Sequence, residues 1–323
     1  MKYSRLPGID KDWSTITLGC WQLAPSGGWG DLCSPKEAEA VVKTALDSGI
    51  TAFDTAEGYG DGESERRLSK ALGSQLDDVV VISKIWPDAE LNEAAYEERL
   101  NGTLKALGRD YVDLFLVHWP GEYFNSKEKS ARLCDCMGAL KASGKARLIG
   151  LSNFHEEDLT HLDTRLAEFS INEVPYSLLE REYEGRARSL CEAASVPYMA
   201  YSPTAKGLLA RKLDPSELEY HARKDDALYS EALYGESLKA FKLVESIAAD
   251  VGCLPIQVAL AWVLAQPNIL TAIVGSRKPN QVAGFSQAAD VTLSNESLAR
   301  LTQASDAFHC AKDAAGVAHW SLA

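Results

Sequence analysis

No apolar run in this 323-residue chain approaches the ~20 residues that a membrane span requires, so no membrane partner is expected. The first residues, MKYSRLPGIDKDWST, contain no apolar signal region, and the expectation is a cytoplasmic chain. A disulfide framework is also missing. The seven cysteines, at 20, 33, 134, 136, 191, 253 and 310, are odd in number and scattered, which reads as reduced thiols. Cys134 and Cys136 have no Cys or His partner at zinc spacing, so no metal is expected. Positive charge is in deficit: 33 Lys and Arg against 46 Asp and Glu leave a net charge of -13, which opposes a polyanionic partner such as nucleic acid. The chain shows no low-complexity linker, charge block or internal repeat. No GxGxxG follows the first strand-like segment, which disfavours a doubly wound dinucleotide-binding sheet.

What is present is a set of short apolar runs alternating with amphipathic segments. The runs are TITLGCW (15–21), ITAFD (50–54), VVVISK (79–84), YVDLFLVHW (111–119), ARLIGLSN (146–153), EFSINEV (168–174), VPYMAYS (196–202) and NILTAIVGS (268–276). Rich in Val, Ile, Leu and Phe and mostly without polar alternation, they read as buried parallel strands. Helices are expected between them. SPKEAEAVVKTALDSG offers Ser34 as N-cap, Pro35 at the first helical position, Glu37 completing a capping box and Gly49 as the stop. LNEAAYEERLNGTLKALGRD and SKEKSARLCDCMGALKASGK end at Gly108 and Gly144, and further helices are expected near 154–165, 184–195, 236–251 and 279–288. Eight strands alternating with helices make an α/β chain, a single (β/α)8 barrel domain over 1–323. Residues 1–14, with Pro7-Gly8, are expected to form a hairpin plugging the barrel bottom. The long polar segment 203–234 reads as a lid after the seventh strand, and an extra helix is expected at the C-terminus.

In such a barrel, residues at strand C-termini face one mouth. They include Asp54, Lys84, His118, Ser152, Asn153, Glu173, Tyr201, Ser276 and Arg277, with Tyr59 on the Gly-rich loop after strand two. Each alone has an ordinary explanation: a turn Asp, a solvated Lys, a core His. Together at successive strand ends they support proton delivery to a carbonyl oxygen. A free Tyr, with a pKa near ~10, is a poor acid at neutral pH, and a nearby ammonium would lower that value. Lys84 would supply the ammonium, Asp54 would hold it, and a neutral His118 would orient the carbonyl. The hydride that such a reduction needs comes from no side chain, which implies a nicotinamide cofactor.

GITAFDTAEGYG, VVVISK, VDLFLVHWP, IGLSNF, VPYSLLER, YSPTAKGLLA and AIVGSRKPNQV, spread over about residues 16–293, resemble in order and spacing the aldo-keto reductase superfamily. The likeness is greatest to its bacterial and channel β-subunit-like branches. The resemblance implies NADP(H) bound without a Rossmann fold, with NAD(H) possible. It implies Tyr59 as proton donor, Asp54 and Lys84 as its tuning pair, and His118 as the orienting group. Ser152 and Asn153 match the partners of the nicotinamide carboxamide, and Tyr201 matches the ring that stacks on the nicotinamide. Ser202, Thr204, Lys206, Gly207 and Leu208 match the pyrophosphate loop. Ser276, Arg277 and Gln281, with Gly275 before them, match the adenosine 2′-phosphate end, where a guanidinium suits a phosphate dianion and favours NADPH. Two departures stand out. Glu173 replaces the usual Gln among the carboxamide partners. Gly284 and Phe285 replace the usual Glu and Asn at adenine, leaving Phe285 to stack there instead.

Trp21, Trp29, Trp86 and Trp119, with Tyr123 and Phe124, are candidates for a substrate rim suited to a small neutral aldehyde, ketone or sugar-like carbonyl. Three readings stand at this point: a carbonyl reductase, a nucleotide-binding regulatory subunit without turnover, and a lyase, isomerase or hydrolase on a generic barrel. The oligomeric state is left open.

Overall fold

Residues two apart on a strand point to the same face, and here that period sorts the apolar residues into two shells. Residues 1–25, 33–121 and 126–317 are described by a computed structural model. An antiparallel pair, β1 (Tyr3–Ser4) and β2 (Trp13–Ser14), precedes eight parallel strands. These are β3 (Ile16–Gly19), β4 (Ala52–Asp54), β5 (Val80–Ile85), β6 (Val112–Val117), β7 (Ala146–Ser152), β8 (Asn172–Pro175), β9 (Tyr198–Tyr201) and β10 (Ile269–Gly275). They close into a barrel in chain order, with β10 pairing β3. Between strands lie α1 (Pro35–Asp47), α2 (Glu63–Leu72), α3 (Glu93–Leu107), α4 (Lys127–Ala142), α5 (Glu156–Leu162) and α6 (Arg186–Ala193). After β9 come α7 (His221–Lys224), α8 (Tyr234–Val251) and α9 (Pro255–Leu264); α10 (Pro279–Ser286) and α11 (Asn295–Ala314) follow β10. No single helix among the described residues is long and apolar enough to cross a membrane. All seven cysteines are free thiols.

The inner shell fills the lumen. Ala52, Val80, Ile82, Leu114, Leu116, Leu148, Ile171, Met199 and Ile273 pack there against Leu6, Ile9 and Trp13 of the N-terminal hairpin, the expected plug. Lys11 fastens it, pairing with Asp113 at 2.8 Å and donating to the Val79 carbonyl at 2.8 Å. Gly150 is required by this packing, since a Cβ there would fall 2.5 Å from Leu116 Cδ2 and 3.1 Å from the Ile171 carbonyl oxygen. The larger outer shell joins the strands to the helices, with Phe53, Val81, Phe115 and Val117 facing it.

The capping box reads true at α1: Glu37 N donates to Ser34 Oγ, and Ser34 N donates to the Glu37 carboxylate at 2.8 Å. Gly108 ends α3 in the left-handed conformation. One expectation needs correction, and one helix was missed. The sixth barrel strand begins at Asn172 rather than 168, because residues 163–168 form a 3-10 turn and Phe169 turns into the core. Helix α9 was not expected: PIQVALAWVL is buried continuously from Gln257 to Val263, so it lacks the amphipathic period that reveals a surface helix.

The segment 203–234 folds back over the loop after β9. Arg223 Nε donates to the Lys206 carbonyl at 3.0 Å, Tyr229 Oη donates to the Ala205 carbonyl at 2.9 Å, and the Lys206 ammonium pairs with Asp226.

Candidate active site

The lumen-facing period carries past the apolar layers to the top of the barrel. Ala52 is followed two residues on by Asp54, Ile82 by Lys84, Leu116 by His118, Ile171 by Glu173 and Met199 by Tyr201. Five strand ends therefore aim polar side chains into one mouth, above a floor of aliphatic residues. Tyr59 joins them from the loop after β4, which turns through Gly60, Asp61 and Gly62, all at positive φ.

Lys84 lies at the centre and is fully buried. Its Nζ donates to Asp54 Oδ1 at 2.6 Å and to the Thr55 carbonyl at 3.0 Å, and it reaches Tyr59 Oη at 3.5 Å. Glu173 Oε1 lies 3.4 Å from the same nitrogen. The His118 ring meets Tyr59 edge-on at 5.6 Å between centroids and Trp86 at 5.1 Å. The Trp21 and Tyr59 ring centres are 6.3 Å apart.

Electrostatics divide these groups by charge. Burial works against the Lys84 ammonium, but Asp54, Glu173 and Tyr59 outweigh it, and its pKa is raised. Burial, then the Lys84 charge, holds His118 well below its usual range, so the imidazole is neutral. Burial raises Asp54 despite Lys84, and burial with the neighbouring Asp54 pushes Glu173 well above the ordinary carboxyl range. For Tyr59 the balance differs from the sequence expectation. Lys84 does pull the phenol down, but burial is the larger effect and Asp54 and Glu173 add to it, so the pKa is raised and the hydroxyl keeps its proton.

The residues matched to a cofactor fall into two groups. Tyr201 Oη donates to Asn153 Oδ1 at 2.7 Å, while Asn153 Nδ2 donates to the His118 carbonyl at 2.9 Å and to Ser152 Oγ at 3.1 Å. Both ends of the Asn153 amide thus hold the mouth's own frame. Ser202, Lys206 and Gly207 sit at positive φ in the loop after β9, with Thr204 buried among them; Leu208 is buried, its side chain in the outer core and its N–H donating to the Ala205 carbonyl at 3.2 Å. Beyond Gly275, Ser276 Oγ and Arg277 N both donate to Gln281 Oε1, at 3.0 and 3.2 Å, tying the turn into α10. The Arg277 guanidinium lies 5.7 Å from the centre of the ring of Tyr220, a residue of the 203–234 segment.

Phe285 requires correction. It is 1% exposed and packs in the outer core, so its ring is not available to stack on adenine. Among the rim candidates, Trp21 and Trp86 are exposed and flank the Tyr59–His118 pair, while Trp119 is half-buried beside His118. Trp29, Tyr123 and Phe124 lie outside the described residues. Sequence reasoning missed Gln22, whose side chain lies over Gly275, where a Cβ would collide with it. It also missed the contact of Glu173 with Lys84, since nothing in residues 89 apart signals that they meet. Among the described residues no three His, Cys, Asp or Glu side chains gather to hold a metal ion.

The profile of the Aldo/keto reductase family matches residues 15–306. This chain belongs to the aldo/keto reductase family. Among curated relatives of this reductase is Aldo-keto reductase YhdN of Bacillus subtilis (strain 168), 31% identical over 313 residues, covering 92% of this chain and 91% of the relative. The NADH-specific methylglyoxal reductase of Escherichia coli (strain K12) is 26% identical, with 91% and 95% covered. Among solved structures, an aldo-keto reductase from Klebsiella pneumoniae in complex with NADPH superimposes with a TM-score of 0.74 at 27% identity, covering 94% of each chain. The reductase is an oxidoreductase with the closed barrel of its family.

Proposed function

We propose that this reductase converts small neutral aldehydes, ketones or sugar-like carbonyls to alcohols, with Tyr59 as proton donor and NADPH as the preferred cofactor. The observation that carries the reading is the Tyr59 hydroxyl 3.5 Å from the Lys84 ammonium at the open end of the barrel, with a neutral His118 ring edge-on beside it. A bound nicotinamide cofactor supplies the hydride.

The chain's own groups do the rest. Tyr59 holds a proton at Oη and gives it to the carbonyl oxygen. Lys84, kept charged by Asp54, stabilises the phenolate left behind. His118 bonds the carbonyl oxygen and sets its orientation. Trp21 and Trp86 form apolar walls that suit a neutral substrate.

The donor set fits a dinucleotide. Positive-φ backbone at Ser202, Ala205, Lys206 and Gly207 makes a tight turn after β9, and Arg277 and Lys278 precede the N-terminus of α10, where a phosphate is favoured. The Arg277 guanidinium supports a 2′-phosphate and hence NADPH. The Escherichia coli relative named as NADH-specific makes NADH the necessary parallel assay.

The test is absorbance decay at the nicotinamide band with NADPH, and separately NADH, over a panel of carbonyls, using wild type and Tyr59→Phe. The expected result is a loss of about 10²- to 10⁴-fold in kcat with unchanged NADPH affinity. Undiminished turnover in Tyr59→Phe would overturn the proton-donor assignment. Tight NADPH binding without turnover on any carbonyl would favour a nucleotide-binding regulatory subunit.

A further inference from the structure

The mouth holds more carboxyl than its ammonium can balance. Asp54 lies 2.6 Å and Glu173 3.4 Å from Lys84 Nζ, and all three side chains are buried. Both carboxyls lie against the same ammonium nitrogen, so burial and mutual repulsion oppose ionising the two together, and a shared proton relieves it. Glu173 Oε2 is buried and finds no hydrogen-bond partner among the described residues, which disfavours charge on it.

The groups facing this pair come from five places. They are Lys84 of β5, Tyr59 of the loop after β4, Tyr201 of β9, Cys20 after β3, and, behind Tyr201, Glu180 and Tyr183 of the segment after β8, with His118 acting through Lys84. Lys84 is the single cation among them. Glu180, Tyr183 and Cys20 add only negative charge or none.

We propose that the Asp54–Glu173 pair shares a proton that the oxidised nicotinamide ring displaces, so that Glu173 couples this enzyme's choice between oxidised and reduced cofactor to pH. The inference rests on the reading of this mouth as a nicotinamide site. The contacts of Tyr59 Oη to Lys84 and of Lys84 to Glu173, at 3.5 and 3.4 Å, bound the Tyr59–Glu173 separation at about 7 Å. A ring that hands hydride to a carbonyl held on Tyr59 must lie within a few ångströms of that carbonyl. It therefore sits within about 10 Å of Glu173, across buried protein, where unit charges interact strongly. The reduced ring is neutral and leaves the shared proton in place. The oxidised ring carries a positive charge, favours a second carboxylate, and drives the proton to solvent. At an effective dielectric near ~20 the preference is worth on the order of ten- to thirtyfold in affinity.

Kd values for NADP⁺ and NADPH, read by quenching of tryptophan fluorescence between pH 5.5 and 9, test this in wild type and Glu173→Gln. The phosphates are common to both forms, so the ratio of the two Kd values isolates the ring. In wild type the ratio should move toward NADP⁺ as pH rises, by about three- to fivefold per unit at its steepest, and level off once the pair has lost its proton. In Glu173→Gln it should be flat and shifted ten- to thirtyfold toward NADPH relative to wild type at high pH. Calorimetry of wild type in two buffers of different ionisation enthalpy should count about half to two-thirds of a proton more released with NADP⁺ than with NADPH at the pH where the ratio changes most steeply, and this measurement does not depend on the variant folding. Equal proton counts, or the same ratio–pH curve in both proteins, would overturn the proposal while leaving the reductase reading intact. Binding of neither form would overturn both.

Discussion

Replacing Asp54 with Asn should cost less stability than breaking a buried ion pair ordinarily does. Removing one partner of such a pair costs about 3–5 kcal/mol, because the other charge is left uncompensated. Here Lys84 would not be left so, since Glu173 Oε1 already lies 3.4 Å from Nζ and would ionise in place of Asp54. Two further effects act in the same direction. The Asn carbonyl oxygen still accepts from Lys84, and loss of the Asp54 charge removes the repulsion that raises Glu173. A cost of about 1–2 kcal/mol follows for Asp54→Asn. Glu173→Gln should be close to neutral in acid and become more stable than wild type as pH rises. The folded pKa of Glu173 is raised, so its contribution is present below the ordinary carboxyl value and lost as pH rises through the folded one; Gln escapes that loss. The double variant leaves the buried ammonium without a carboxylate and should show the full cost of about 3–5 kcal/mol. The cycle therefore carries a coupling of about 2 kcal/mol or more, measurable from urea denaturation midpoints at pH 8 with all four proteins. Strict additivity, or a single Asp54→Asn loss as large as that of the double variant, would refute the idea that Glu173 is a second counterion.

Two other sites offer independent tests. Glu65 of α2 is buried and accepts from Ser83 Oγ at 2.6 Å, and burial pushes its carboxyl up to about 7. Its stabilising contribution is thus complete below about 4.5 and is lost as pH rises through about 7. Glu65→Gln should flatten that part of the stability–pH curve by up to about 3 kcal/mol, and parallel urea curves for the two proteins would contradict the shift. Trp86 is 42% exposed and stands edge-on to His118. Trp86→Ala should lower kcat/KM for apolar carbonyls about tenfold, mainly through KM, with little change in denaturation midpoint. An unchanged KM across the carbonyl panel would remove Trp86 from the substrate wall.

Much of the architecture is visible in the chain because it depends on local pattern. Buried parallel strands announce themselves as short Val- and Ile-rich runs, and the Ser34–Glu37 capping box and Gly108 stop are chemistry within a few residues. The hairpin plug could be anticipated from Pro7-Gly8 within the first 14 residues. Where the local signal is missing, so is the element: α9, apolar on all sides, has no period to read, and the start of β8 is set by how Phe169 packs.

The site divides in the same way. That Asp54, Lys84, His118, Glu173 and Tyr201 share one mouth follows from their position at the ends of successive strands, which the sequence alone determines once the barrel is recognised. What only the tertiary structure decided is how they touch and therefore how they are charged. It set Glu173 against Lys84 and Asp54, drew the Asn153 side chain into bonds with Tyr201 and the His118 carbonyl, and buried Phe285 away from the surface. It also made burial outweigh Lys84 at Tyr59. The physical reason is common to all of these. Residue type and strand order are carried along the chain, whereas a 3.4 Å contact or the loss of solvent around a carboxyl depends on groups far apart in sequence that meet only when the barrel closes.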